Sequence, residues 1–254
     1  MNKIESYFLQ HNKIKFSNVV CSQNKKIILR NPKKAEIKNK KEEKDIKNEG
    51  MESMGSMKEI KNDELKNIYN EVEKCMKCEA LCNSRLNVVF GRGDEEPEIV
   101  FVGEAPGADE DKQGLPFVGR GGKLLDKWIE RLNINNNKYY IMNALKCRPP
   151  DNRDPFPEEK ANCRDYFVNQ LKILNPKIIC ALGRHGFGNL IDFDLKTPYG
   201  KARNKIHYYN NNGKDVPVIA TYHPAYILRN QKEEDKVISD LEFMLGELKK
   251  IKNN

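Results

Sequence analysis

Long apolar runs are missing from this 254-residue sequence. None approaches the ~20 residues a helix needs to cross a bilayer, and Met1-Asn2-Lys3-Ile4 does not open a hydrophobic secretory signal. A soluble, cytoplasmic protein, without a membrane partner, is expected. Histidine is scarce as well: four are present, scattered without ligand spacing, which argues against a histidine-built centre of a metal-dependent hydrolase. Cysteine is limited to seven, an odd number that suits no disulfide framework in a reducing compartment, so metal ligation or plain burial is the expected use.

Acidic charge is thin at one end only. The net charge is +8, yet residues 1–50 hold 13 basic and 6 acidic side chains, while the rest of the chain is nearly balanced at 32 against 31. Basic composition therefore does not itself assign the folded part to DNA. Residues 33–48 are Lys, Glu and Asn with almost nothing apolar, a composition that cannot offset the entropy of ordering. Residues 1–57 are expected to be a basic, largely disordered extension and 58–254 one folded domain, for which 38% hydrophobic content provides one core. Within the extension, Ile4, Tyr7 and Phe8 fall at helical spacing, Val19-Val20 and Ile27-Ile28-Leu29 offer a little β structure, and Met51, Met54 and Met57 are alternative starts.

What is present is an alternation of short apolar runs with helical periods. Leu65, Ile68, Tyr69 and Val72 recur at helical spacing. Glu98 to Val102, Tyr139 to Met142, Ile178 to Leu182 and Val216 to Ala220 read as buried strands. Gly121 to Leu132, Glu158 to Leu174 and Glu233 to Ile251 read as helices, the second introduced by Pro157. This alternation predicts a three-layer α/β/α sandwich around a central, mainly parallel sheet. Ligands bind such sheets beyond the carboxyl ends of the strands, where Gly103, Asn143, Gly183 and Thr221-Tyr222-His223 sit.

Three segments there carry chemistry. Gly103-Glu104-Ala105-Pro106-Gly107 leads through Glu110-Asp111 to Gly114-Leu115-Pro116-Phe117-Val118-Gly119, a loop stiff enough to aim backbone N–H groups at a ligand. Asn143-Ala144-Leu145-Lys146-Cys147-Arg148-Pro149-Pro150 and His223-Pro224-Ala225-Tyr226-Ile227-Leu228-Arg229 follow other strands. Alone, the first would be read as a structural crossover and the histidine as a satisfied structural residue. Together, and in this order, they resemble the uracil-DNA glycosylase superfamily, and specifically its iron–sulfur-containing family 4, over roughly residues 70–250. The resemblance implies the sandwich read above and an enzyme that flips uracil out of DNA, hydrolyses its N-glycosidic bond and leaves an abasic site for base-excision repair.

Cys75, Cys78, Cys147 and Cys163 form two separated pairs that by spacing alone suit zinc or a [4Fe-4S] cluster. The resemblance selects the cluster in a structural role, leaves Cys82 outside the ligand set, and leaves Cys21 in the tail and Cys180 in a strand. It also implies that Phe117 stacks on the flipped base and that Asn143 donates to O4 and accepts from N3–H, which cytosine reverses. His223 would donate to O2 as charge builds there, and the backbone at Glu104 and Ala105 would line the pocket. Better-known branches carry an Asp or Asn where Ala105 stands, so the carboxylate that guides water is open between Glu104 and Glu110, with Asp111 behind them; Glu110 could instead exclude thymine's methyl group. Leu228 would enter the duplex and Arg229 meet phosphate, although Ile227 and Leu228 read equally well as an ordinary helix face. Arg148, Lys146, Arg153 and Arg120 are further candidate phosphate contacts.

Two rivals remain in view. A covalent uracil trap needs a histidine after Asn143, and none occurs from Ala144 to Arg184; a non-catalytic DNA-binding module would have little use for Glu104, Phe117, Asn143 and His223 together. The expected partner is uracil-containing DNA and the expected state a monomer. Residues 1–8, Met1-x-x-Ile4-x-x-Tyr7-Phe8, resemble a sliding-clamp-binding peptide with Met1 in place of its glutamine.

Overall fold

The computed structural model describes residues 60–134, 137–194 and 196–253. The expectations for the N-terminal extension, its clamp-like peptide and Cys21 lie outside the described residues. Helix α1 (Asp63–Glu73) begins where Asn62 accepts the Leu65 N–H at 3.0 Å, with Asp63 and Glu64 in its first turn where they suit the helix dipole. Its apolar stripe buries Leu65 and Val72, and α2 (Glu79–Ser84) follows.

The sheet is built on β2 (Ile99–Gly103), every residue of which is buried. It pairs in parallel with β3 (Tyr139–Asn143) on one side and β4 (Ile178–Leu182) on the other, and β4 pairs in parallel with β6 (Lys214–Thr221). Alternation along β2 divides the core: Val100 and Val102 face one layer, Ile99 and Phe101 the other. The first layer includes α1 and α5 (Pro157–Leu174); the second includes α4 (Arg120–Arg131) and the last helix, α8 (Glu234–Asn253). No described helix is long and apolar enough to cross a membrane.

Both sheet edges are antiparallel, which refines the expectation of a mainly parallel sheet. The order is β1-β3-β2-β4-β6-β5, with β1 (Arg92–Gly93) against β3 and β5 (Ile206–Asn211) against β6. The β5–β6 hairpin turns on Asn212 and Gly213, at φ 58° and 88°, the left-handed pair that a two-residue turn favours. The stretch from Gly103 to Gly119 is also not all loop, since α3 (Ala108–Gln113) forms within it.

Candidate active site

Register aligns Gly103 with Asn143 and Leu182 with Thr221, so the segments singled out by sequence emerge together at the carboxyl ends of the parallel strands. Gly103 leaves the room they need. A Cβ there would lie 2.3 Å from Asn143 Oδ1 and 2.7 Å from Phe117 Cζ. Asn143 is 2% exposed, and its Oδ1 is buried without a hydrogen-bond partner among the described residues. Phe117 is held in the left-handed region at φ 53°, a conformation that costs about 1–3 kcal/mol and has to be imposed by its surroundings. Arg92 imposes it, donating to Pro116 O at 2.9 Å and Phe117 O at 3.2 Å while paired with Asp126 at 2.7 Å.

The Phe117 ring lies 5.6 Å from the His223 ring, centre to centre. His223 caps the short helix α7 (Pro224–Ile227): its Nδ1 accepts the Ala225 N–H at 3.1 Å, so in the neutral ring the proton sits on Nε2. Burial pushes the imidazole down to about 4, helped by the nearby Arg229 guanidinium, and it is neutral at neutral pH. Gly183, at φ 77°, opens α6 (Gly183–Gly188) and lets the His223 backbone approach, since a Cβ there would stand 2.8 Å from His223 Cβ.

The carboxylates differ in their surroundings. Glu110 accepts from Gly107 N at 3.1 Å, Val118 N at 3.0 Å and Gly119 N at 2.9 Å, stapling both ends of the loop that carries Phe117. Glu104 is followed by the partly buried Ala105, and its own carbonyl accepts the Leu145 N–H at 2.9 Å. Its carboxylate pairs with Lys160 Nζ at 3.1 Å and lies 3.4 Å from His185 Nδ1. Glu104, Asp154 and His185 bring ligand-type atoms within 4.8 Å of one another. Sequence reasoning missed Lys160, Asp154 and His185; they come from separate segments and carry no spacing signal. Asp111 is not part of this group. It is 1% exposed and accepts from Leu86 N and Asn87 N at 2.9 and 3.2 Å.

The basic residues also divide. Leu228 is partly buried and Arg229 exposed after the buried Ile227, and partly buried Arg148 donates to Asn152 at 2.8 Å. Arg153 is paired with Glu159 at 2.6 Å, while Arg120 is exposed at the start of α4. Lys146 is not a phosphate contact. It has no exposed surface, its Nζ donates to Asn143 O at 2.7 Å and Phe90 O at 3.3 Å, and burial pulls it down to about 7.

Beyond Lys146 lies a second chamber. Cys75, Cys78, Cys147 and Cys163 line it with Cys82, Val72, Leu81, Leu145 and Arg85. Burial pushes the Cys78 and Cys147 thiols up to about 11, and that of Cys163 up as well. Arg85 Nη1 donates to Cys147 Sγ at 3.0 Å and Asn162 to Cys78 Sγ at 3.5 Å. Cys82 Sγ is turned to Cys75 O at 3.4 Å, and Cys180 is buried in β4.

The profile of the uracil DNA glycosylase superfamily matches residues 90–242. A type-4 uracil-DNA glycosylase of Archaeoglobus fulgidus is 44% identical over 187 residues, 72% of this chain and 92% of that protein. One of Thermotoga maritima is 43% identical over 192 residues, 74% and 97% of the two chains.

Proposed function

The chain belongs to the type-4 branch of the uracil-DNA glycosylase superfamily and is a DNA glycosylase that removes uracil from DNA, and from that premise we propose how its residues divide the reaction. The observation that carries the assignment is the unpartnered Oδ1 of buried Asn143. A buried acceptor left unpaired costs about 1–3 kcal/mol. A flipped uracil relieves that cost by giving its N3–H to Oδ1 while O4 accepts from the Asn143 amide; cytosine, with a bare N3 and an amino group, meets the same amide with both polarities wrong. Phe117 supplies a flat apolar face for the base.

Bond breaking leaves the electron pair of the N1–C1′ bond on uracil and positive charge on the sugar. His223 Nε2–H would donate to O2, where that negative charge collects; one such preorganised donor is worth about 3–4 kcal/mol of barrier. Water then adds its oxygen to C1′ and releases its proton, yielding free uracil and an abasic site. With both Glu110 oxygens committed to loop N–H groups, Glu104 is the better-suited carboxylate to face the cationic sugar and the water. Arg229 and Arg148 would meet the DNA backbone, with Leu228 filling the gap left by the extruded nucleotide.

The cysteine chamber suits an iron–sulfur group: five cysteines from two distant stretches line it, the four proposed ligands among them, and the Arg85 guanidinium beside Cys147 suits anionic thiolates. Cys75, Cys78, Cys147 and Cys163 would hold a [4Fe-4S] cluster, which would supply a cross-link between the α1–α2 segment and the 147–163 loop. Iron and acid-labile sulfide analysis tests this; zinc alone in the purified protein would replace the cluster with the tetrahedral alternative.

The function is tested by incubating purified protein with a uracil-containing oligonucleotide and then with alkali. Strand scission by the wild type, lost in His223→Ala, supports the scheme; a gel-stable adduct would indicate a covalent trap, and binding without scission a non-catalytic module. Residues 1–8 are proposed as a clamp-binding peptide, a role lost if capture by the sliding clamp survives Tyr7→Ala with Phe8→Ala.

A further inference from the structure

Lys146 stands between the two chambers, and the reaction scheme gives it no task. It has no exposed surface, in a core where an amine that found no partner would be costly. Its Nζ reaches two main-chain carbonyls, Asn143 O at 2.7 Å and Phe90 O at 3.3 Å. Two acceptors match the two N–H bonds that even a neutral amine carries, so the contact holds in either protonation state. Asn143 ends β3, where its carbonyl leaves the parallel ladder and would otherwise point into the protein unpaired. Three neighbouring hydrogen bonds fix the rest of the turn: Ala144 N to Gly103 O at 3.0 Å, Leu145 N to Glu104 O at 2.9 Å and Val89 N to Lys146 O at 2.8 Å. Lys146 Nζ adds a hold on the Asn143 carbonyl itself. Next in sequence is Cys147, and Lys146 and Cys147 both line the cysteine chamber.

We propose that Lys146 is a positioning residue for base recognition: by holding the Asn143 carbonyl from within the core it fixes the main chain from which the base-reading amide projects, and ties that amide to the wall of the cysteine chamber. The proposal rests on Asn143 as the reader of the base. Specificity here depends on placement, because an amide shifted by about 1 Å against Gly103 and Phe117 meets N3 and O4 off line, an error of the kind that costs about 100-fold.

The test uses the full chain in Lys146→Met, which keeps the stem and removes the amine, and Lys146→Gln, which keeps a donor on a shorter arm. Two equilibrium constants are read for each: inhibition by free uracil, which reports the pocket, and affinity for an oligonucleotide with an abasic site, which reports the DNA surface. Lys146→Met is expected to weaken uracil about tenfold or more while leaving abasic DNA within about twofold, and Lys146→Gln to fall between it and the wild type. A merely structural lysine would lower Tm and leave the uracil constant of the folded protein unchanged, or weaken both ligands alike; either result overturns the proposal. Should Lys146→Met fail to fold, an unchanged uracil constant in Lys146→Gln overturns it and a selective rise supports it. Asn143→Ala separates the two levels. If it leaves uracil binding intact, the base-reading assignment itself fails; if it abolishes binding while both Lys146 variants behave as wild type, only the role of Lys146 fails.

Discussion

At the scale of single residues, the role proposed for His223 calls for a neutral donor, which suits a ring whose Nδ1 is claimed by Ala225 and which burial keeps from taking a second proton. Its native pKa, lowered from 6.5 to about 4, sets two pH effects of definite sign. The competent form persists as pH falls, so kcat under saturating DNA is expected to hold across roughly pH 5 to 8 and drop only near the native pKa, a limb absent from the residual rate of His223→Ala. Stability moves within the same window: above 6.5 neither state binds the proton, and between 6.5 and about 4 the unfolded chain takes it up first, so stability is lost as pH falls through that interval. Denaturant melts of wild type and His223→Ala at several pH values read the difference. Gly103→Ala gives an opposite separation. Its added Cβ would meet the far ends of the Asn143 and Phe117 side chains at 2.3 and 2.7 Å. Those atoms can swing away at modest cost to the fold, so Tm should change little while uracil excision falls by about 100-fold.

At the scale of elements, the strand that delivers His223 is held from outside the sheet. Asp240 of α8, with no exposed surface, receives Thr221 Oγ1 at 2.7 Å and a two-pronged contact from Arg203 at 2.7 and 3.0 Å. Asp240→Ala would leave a nearly buried guanidinium without its carboxylate, a loss of about 3–5 kcal/mol, visible as a Tm lower by about 10 °C. Elements whose apolar period was unbroken were legible in sequence: β2, β3, β4, α4, α5 and α8 fall within a few residues of where the pattern put them. β5 was not, because only Tyr209 and Asn211 of Ile206–Asn211 are buried and its signal lay in the Asn212-Gly213 turn. The pocket was legible to the same degree. Phe117, Asn143 and His223 were singled out by the resemblance that their three segments carry together, since position alone favoured structural readings of the loop and the histidine. Lys160 and His185 carried no signal, and Lys146, between Leu145 and Cys147 and read as a candidate phosphate contact, gave no sign of complete burial. Contacts between separate crossovers leave no trace in local composition.

At the scale of the whole molecule, the two cysteine pairs lie about 70 residues apart in the chain, in the α1–α2 leader and the stretch running into α5, and the proposed cluster would join them. Closing a loop of that length removes much disorder from the unfolded chain. Stripping iron with a chelator under reducing conditions, or Cys147→Ser, is therefore expected to bleach the visible absorbance, lower Tm and weaken DNA binding, while free uracil still inhibits whatever protein stays folded. The strand order has a consequence of another kind. β2 lies between β3 and β4, both made after it, and β6 must add beyond β4 before His223 can stand opposite Phe117. During synthesis, then, Phe117 and Asn143 emerge from the ribosome well before His223. A chain ending before β6 also lacks Ile219 of that strand and Val237, Leu241 and Met244 of α8, which pack in the same layer as Phe117, so the finished core and the finished pocket arrive together.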